Sequence, residues 1–262
     1  DPARAVRAAA ALIHFGTSFK KKLAAKAPTL PPDAMQAPNT LKGEDECRKI
    51  LESAGIPMAG SELARTGKEA VSIWKRIKAP VALKIVSSDI LHKTEIGGVK
   101  LNLNNPIDIE NAFNSIIDVG KTHYPNADID GVIVSEMVTD GVETVLGVIN
   151  DPIFGPAVMF GLGGVFVEVL GDVTFRLAPF DISEAHRMIS EIKGIKILHG
   201  ARGAQPSDIN AIAEALVKLS VFAHENAEKI SSIDINPFMV KPEGKGAAGV
   251  DALIIPNGVE VN

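Results

Sequence analysis

A single cysteine, Cys47, stands in 262 residues, so the chain closes no internal disulfide and builds no cysteine-rich metal site, which fits a reducing, cytoplasmic setting. Positive charge is not in excess. A formal net charge of -5 and a pI near 5.7 exclude a general nucleic-acid binder, whose affinity rests on clustered Lys and Arg. No uninterrupted apolar run approaches membrane-spanning length, and Asp1-Pro2-Ala3-Arg4 lacks the form of a secretory signal. The absent initiator methionine suggests an excised or processed segment. The glycine cluster over 161–164 fits neither GxGxxG nor a P-loop, and no short-period repeat is found. What remains is an ordinary globular balance, 46% hydrophobic and 23% charged, which rules out disorder and an extended coiled coil. The length allows one or two compact units, or two lobes sharing a cleft.

The first stretch, residues 3–26, is alanine-rich and ends in the basic cluster Lys20, Lys21 and Lys22, so it predicts a helix interrupted near Gly16. Pro28, Pro31, Pro32 and Pro38 cannot continue it and mark a linker. Helices are expected over 44–53, 67–77, 107–119, 183–192 and 207–226. Strands are expected from Val81, and over 130–137, 143–150, 157–161, 173–177, 230–240 and 249–254. The sum is an α+β protein: a helix and linker over 1–40, an N-terminal lobe over 41–130, a C-terminal lobe over 131–256 and a tail over 257–262.

Four constellations carry chemistry. The segment Val81 to Leu103, VALKIVSSDILHKTEIGGVKLNL, puts Lys84 on an apolar strand, His92 in the polar loop after it, and Gly97-Gly98 before the next strand. Paired glycines allow close approach to a phosphate, and a neutral imidazole can take up a phosphoryl group. A snorkelling lysine, an exposed histidine and a simple turn account for the same residues one at a time. In the second, an apolar strand runs into Glu136-Met137-Val138 and then Glu143, an arrangement able to offer backbone groups to an adenine edge and a carboxylate to a ribose. A hairpin with two solvated glutamates fits equally well. The third is the glycine cluster Gly161 to Gly164, too dense for a simple turn, which suits a phosphate lid or a tight strand corner. In the fourth, Ile233-Asp234-Ile235-Asn236-Pro237-Phe238, alternation places Asp234 and Asn236 on one strand face. If the next strand pairs antiparallel, Asp251 joins them. Two carboxylates and an amide oxygen suit Mg²⁺, which takes few protein ligands and completes its shell with water and phosphate. A polar strand face ending in an Asx-Pro turn is the competing account.

Taken in order, LKIVSSDILHKTEIGGVKL, VSEMVTDGVE, DPIFGPAVMFGLGGVFVEVLGDVTFRLAP, HGARG and IDINPFMV resemble the ATP-grasp domain of the NDP-forming acyl-CoA synthetases, from about residue 41 to about residue 256. That family includes ADP-forming acetyl-CoA synthetase and, more distantly, the nucleotide-binding subunit of succinyl-CoA synthetase. The resemblance implies an ATP-grasp fold with a nucleotide site between its two lobes. It also implies the reversible, Mg²⁺-dependent reaction of acyl-CoA, ADP and phosphate to acid, CoA and ATP through acyl phosphate and phosphohistidine. Carried over, Lys84, with Val86 and Lys93 near it, binds ATP or ADP. Glu136, Met137 and Val138 form the adenine hinge, Glu143 holds the ribose, and Asn236 and Asp251, aided by Asp234, hold Mg²⁺. His92 matches the phosphate-accepting histidine on the ATP side. Arg202 in HGARG and the Gly161 to Gly164 loop, with Gly163 and Gly164 at its tip, steady the transferring phosphate.

The chain has no second glycine-rich CoA-binding region and no ligase portion bearing the other phosphohistidine. The resemblance therefore implies a CoA-binding, α-like partner domain or subunit that handles the acyl-CoA or carboxylate, and an oligomeric full enzyme, with neither nucleic acid nor membrane as partner. Two further classes stay open at this stage. One is a nucleotide-sensing module of a protein acyltransferase, against which the intact His92, Asn236 and Asp251 weigh. The other is an ATP-grasp carboxylate ligase without a histidine relay, against which the HKTE loop weighs.

Overall fold

The computed structural model of the chain describes residues 28–40, 43–87, 89–90, 93–164, 167 and 169–259, and of Arg202 the backbone alone. The helix expected over 3–26 lies outside the described residues.

The smaller sheet is built from β1 (Ser61–Ala64), β2 (Val81–Val86), β3 (Val99–Leu103) and β4 (Gly131–Glu136), all antiparallel and ordered β1-β4-β2-β3. Helices α2 (Gly67–Ile77) and α3 (Pro106–His123) follow β1 and β3. Each begins where its sequence can satisfy the free amides of a first turn. The Thr66 hydroxyl accepts from Glu69 N–H at 3.2 Å, and the Asn105 amide oxygen accepts from Asp108 N–H at 2.9 Å, with Pro106 opening α3. Ala70, Ile73, Ile109, Ala112, Phe113 and Ile116 pack on Val81, Leu83, Ile85, Val132 and Val134. Full burial of Leu83 and Ile85 contributes about 1.5–3 kcal/mol each. Strand alternation then forces Ala82, Lys84 and Val86 onto the helix-free face.

The larger sheet contains β5 (Val142–Asp151), β6 (Gly155–Leu162), β7 (Val173–Leu177), β8 (Ile230–Val240), β9 (Ala247–Gly249) and β10 (Ala252–Pro256). Its order is β10-β8-β5-β6-β7, with β9 pairing the end of β8. Helices α4 (Ile182–Ser190), α5 (Ile195–Leu198) and α6 (Ile209–Glu225) lie between β7 and β8 in the chain. Leu216, Leu219 and Phe222 of α6 share a core with Leu146, Val148, Val158, Phe160, Ile233, Ile235 and Phe238. The Asp181 and Asp208 carboxylates cap α4 and α6 through Glu184 N–H and Ala211 N–H.

The lobes do not divide at residue 131 as the sequence suggests. Helix α1 (Glu44–Ser53) places Cys47, Ile50 and Leu51 in the core of the larger sheet, and Ile254 N–H of β10 lies 3.4 Å from the Cys47 sulfur. Strand β4 belongs to the smaller sheet, where it pairs with both β1 and β2. The chain thus leaves the smaller sheet after Glu136 and enters the larger at Val142. The single strand expected over 249–254 is two, β9 and β10, broken at Val250 and Asp251. The short β1 was not expected. Among the described residues no helix is long and apolar enough to cross a membrane.

Candidate functional site

Lys84 projects from the centre of the smaller sheet, paired in register with Val99 and Ile133, and reaches the larger lobe. Its Nζ lies 2.5 Å from Asp251 Oδ2 and 2.7 Å from Glu44 Oε2, and Lys93 Nζ lies 3.3 Å from the same Glu44 oxygen. Asp251 occupies the break between β9 and β10. Its carbonyl accepts from Asn236 N–H at 3.2 Å, and Val250 N–H donates to the Pro237 carbonyl at 2.9 Å. β8 and β10 are antiparallel, with Ala252 opposite Ile235 and Leu253 opposite Asp234, so Asp251 comes alongside Asn236. Ile233 and Ile235 face the core while Asp234 and Asn236 are exposed on the other face, as alternation predicts.

Charge is unevenly held here. Burial, then repulsion from Asp251, holds the Glu44 carboxyl above the ordinary range against the pull of Lys84. Burial also works to raise Asp251, but the charge and hydrogen bond of Lys84 outweigh it and the carboxyl titrates below its usual value. Burial works to lower Lys84, and Glu44 and Asp251 together carry it above the usual lysine value. Asp234 is raised by burial and by the neighbouring Asp251. Two carboxylates that repel each other beside an amide oxygen fit a divalent cation that draws its other ligands from water and phosphate. Among the described residues no group of three His, Cys, Asp or Glu forms a cage for a metal.

The turn that returns to β3 differs from the expected phosphate cradle. Gly97 N–H donates to the Thr94 carbonyl at 3.1 Å and Gly98 N–H to the Lys93 carbonyl at 2.8 Å, so both amides are used within the turn. A Cβ on Gly98 would meet the Lys93 carbonyl oxygen at 2.8 Å and Ile85 Cγ2 at 2.9 Å, which is why glycine is needed there. His92 lies outside the described residues, but its neighbours are held on both sides. Ile90 is buried in the smaller core and Lys93 is tied to Glu44.

The crossing between the lobes, Glu136 to Val138, is half-buried. Glu136 N–H donates to the Gly60 carbonyl and Met137 N–H to the Pro80 carbonyl, both at 2.9 Å. Glu143 is the second residue of β5, and its carbonyl accepts from Gly163 N–H at 2.8 Å. A Cβ at Gly163 would stand 2.9 Å from Glu143 Cβ, so the glycine turn lies directly against that glutamate. Gly161 and Leu162 belong to β6, which narrows the expected glycine loop to Gly163 and Gly164. Val165, Phe166 and Glu168 lie outside the described residues. Arg202 sits in a 3-10 turn, Ala201–Gly203, and its side chain also lies outside them. That turn follows a segment fixed by buried Asp172, whose carboxylate accepts from Lys193 N–H at 2.7 Å and Gly194 N–H at 2.8 Å.

Sequence reasoning missed Glu44 and Arg48. Glu44 is disguised within the acidic first turn Glu44, Asp45, Glu46, where carboxylates complement a helix N-terminus. Arg48 could have been found, since it interrupts the apolar stripe of Cys47, Ile50 and Leu51. It is buried, its Nη1 donates to the Val250 carbonyl at 2.5 Å and its Nη2 to the Ala59 carbonyl.

Two antiparallel sheets backed by helices, whose polar faces meet at one lysine and two carboxylates, define a two-lobed nucleotide-site architecture. The chain belongs to the ATP-grasp domain family, whose model matches residues 33–255. Within it, the chain is 46% identical over 212 residues to the beta subunit of acetate–CoA ligase (ADP-forming) I from Pyrococcus furiosus, covering 81% of this chain and 90% of that subunit. It is 40% identical over 261 residues to 4-hydroxybutyrate–CoA ligase (ADP-forming) from Nitrosopumilus maritimus, covering 95% of this chain but 37% of that longer protein. The dinucleotide-forming acetyl-coenzyme A synthetase 1 of Ca. Korarchaeum cryptofilum, solved with coenzyme A and Ca-AMPCP, superposes with a TM-score of 0.78 at 44% identity, over 84% of this chain and 95% of that one. Another structure of that enzyme, with coenzyme A and Mg-AMPPCP and its phosphohistidine segment pointing towards the nucleotide-binding site, gives 0.72 at 41%, over 82% and 93%.

Proposed function

We propose that this chain is the nucleotide-binding, phosphoryl-transferring part of an ADP-forming acyl-CoA synthetase, and that the full reaction of acyl-CoA, ADP and phosphate to acid, CoA and ATP needs a CoA-binding, α-like partner. One observation carries the reading. Lys84 of the smaller lobe meets Asp251 of the larger at 2.5 Å, beside Asn236. Phosphoryl transfer is mostly positioning and charge neutralisation, and a lysine next to a hard-oxygen cation site is the equipment it requires.

Lys84, with Lys93 and Val86 beside it, binds the phosphates of ATP or ADP. The N–H groups of Glu136 and Met137 are engaged, so the next N–H of the hinge, that of Val138, reads the adenine edge. Glu143 takes the ribose hydroxyls, and Gly163 and Gly164 let the turn close against them. Asp234, Asn236 and Asp251 hold Mg²⁺, which when bound supplies positive charge to the phosphate oxygens. The neutral imidazole of His92 attacks the γ-phosphorus as its bond to the β,γ-bridging oxygen breaks, ADP leaves with that electron pair, and Arg202 steadies the phosphoryl oxygens. The phosphohistidine then passes its phosphoryl group to the partner.

The match to a separate beta subunit and to just over a third of a longer protein supports a partner that is either a second subunit or fused, within an oligomer. The lone buried Cys47 supports a cytoplasmic setting. The test is labelling with γ-³²P-ATP and Mg²⁺. An acid-labile, base-stable label that disappears in His92→Ala is expected, and undiminished labelling in that variant overturns the histidine's role.

A further inference from the structure

Helix α1 sends two side chains toward the cleft that no role above includes. Glu44, its first residue, is 8% exposed and holds Lys84 and Lys93 with one oxygen. Arg48, one turn later, holds the Val250 carbonyl immediately before Asp251, and its Nε is buried without a hydrogen-bond partner among the described residues. Spaced four apart, the two lie on one face of a helix whose Cys47, Ile50 and Leu51 are locked into the larger core.

We infer that Glu44 is a positioning residue: the permanent counter-ion of Lys84 and Lys93, which keeps both lysines directed at the nucleotide phosphates when Asp251 is given up to the divalent cation. This rests on the reading of Lys84 and Asp251 as phosphate and cation ligands. The two carboxylates on Lys84 are not equivalent. Asp251 is 40% exposed and sits in a strand break beside Asn236, open to a ligand, and its Oδ2 touches Lys84. Glu44 is fixed on a packed helix, and among the described residues its ion pairs are those with the two lysines. Arg48 meanwhile fixes the backbone that carries Asp251, so α1 sets both ends of the exchange.

The consequence is directional. Without the Glu44 charge, Asp251 is the one carboxylate left within 4 Å of Lys84 among the described residues, so the pair that the cation must open tightens. ADP binding to the full protein is measured by calorimetry across a Mg²⁺ series and in EDTA, for the wild type, Glu44→Gln, Glu44→Asp and Asp251→Asn. In Glu44→Gln the Mg²⁺ concentration for half-maximal ADP binding should rise at least about fivefold, the lower end of ordinary coupling between sites. Binding in EDTA should not weaken, because a negative charge near the phosphates has been removed. Glu44→Asp should restore the Mg²⁺ midpoint to within about twofold, which a simple packing defect does not explain. An unchanged midpoint in Glu44→Gln, or weakening in EDTA equal to that with Mg²⁺, overturns the counter-ion role. If Asp251→Asn leaves the Mg²⁺ dependence intact as well, the cation-site reading beneath it fails, whereas a shift in Asp251→Asn alone refutes only the role of Glu44.

Discussion

Replacing Lys84 with methionine tests the electrostatics of the cleft apart from any ligand. Methionine keeps the unbranched stem on β2 and deletes the ammonium, leaving Glu44 facing Asp251. Breaking a fully buried ion pair by removing one partner costs about 3–5 kcal/mol. Here Asp251 is 40% exposed and solvent screens it, and Lys93 stays 3.3 Å from Glu44, so the cost falls to about 2 kcal/mol near neutral pH. For a domain of this size that is a fall in Tm of about 4–8 °C. The sign of its pH dependence follows from the two carboxyls. Asp251 titrates below its unfolded value because of Lys84, so its contribution is present above the unfolded pKa and lost as pH falls through the folded one. Glu44 titrates above its unfolded value, so the protonated form contributes fully below the unfolded pKa, and that contribution disappears as pH rises through the folded one. In Lys84→Met the first contribution is gone and the second matters more, so the deficit against wild type grows between about pH 4 and pH 8. Thermal melts over that range should show it, and Lys84→Met/Glu44→Gln should regain at least about half of the lost stability at the upper end. A deficit independent of pH, or a double variant as unstable as the sum of the singles, refutes this account of the cleft.

Gly98→Ala should cost about 1–3 kcal/mol by pressing a Cβ against the Lys93 carbonyl and Ile85, and it should slow histidine labelling more than it weakens ADP binding, measured by urea unfolding and filter assay. Asp172→Ala removes the carboxylate that accepts from Lys193 and Gly194 N–H, two charge-assisted bonds in a buried position. A loss of about 2–4 kcal/mol by urea unfolding is expected, together with faster amide exchange over 193–204.

The sequence made the regular elements legible wherever one periodicity ran long enough. VALKIV alternates, and its apolar half packs on α2 and α3, which forces Lys84 onto the opposite face. IDINPF alternates likewise, and the antiparallel pairing needed to bring Asp251 beside Asn236 is present. Tertiary assignment was harder. Helix α1 and β4 are readable as elements, but a local pattern does not say which of two sheets will bury them, and each joins the sheet farther from it by the simple division at residue 131. The glycine pair at 97–98 misled because glycine that lets a backbone approach a phosphate and glycine that avoids a carbonyl look alike in one dimension. Glu44 escaped notice because an acid at a helix start already has a local explanation, and its reach to Lys84 spans forty positions along the chain.

The exchange of α1 and β4 between the lobes also governs how the protein can be taken apart. Expressing 28–130 and 131–259 as separate polypeptides would leave the first without the strand that lies between β1 and β2, and the second without the helix that covers β10. Neither fragment would hold a finished core, yet each would carry the piece the other needs. Co-expressed, the halves should assemble only as a complementing pair, and reassembly itself would bring Lys84 back to Asp251.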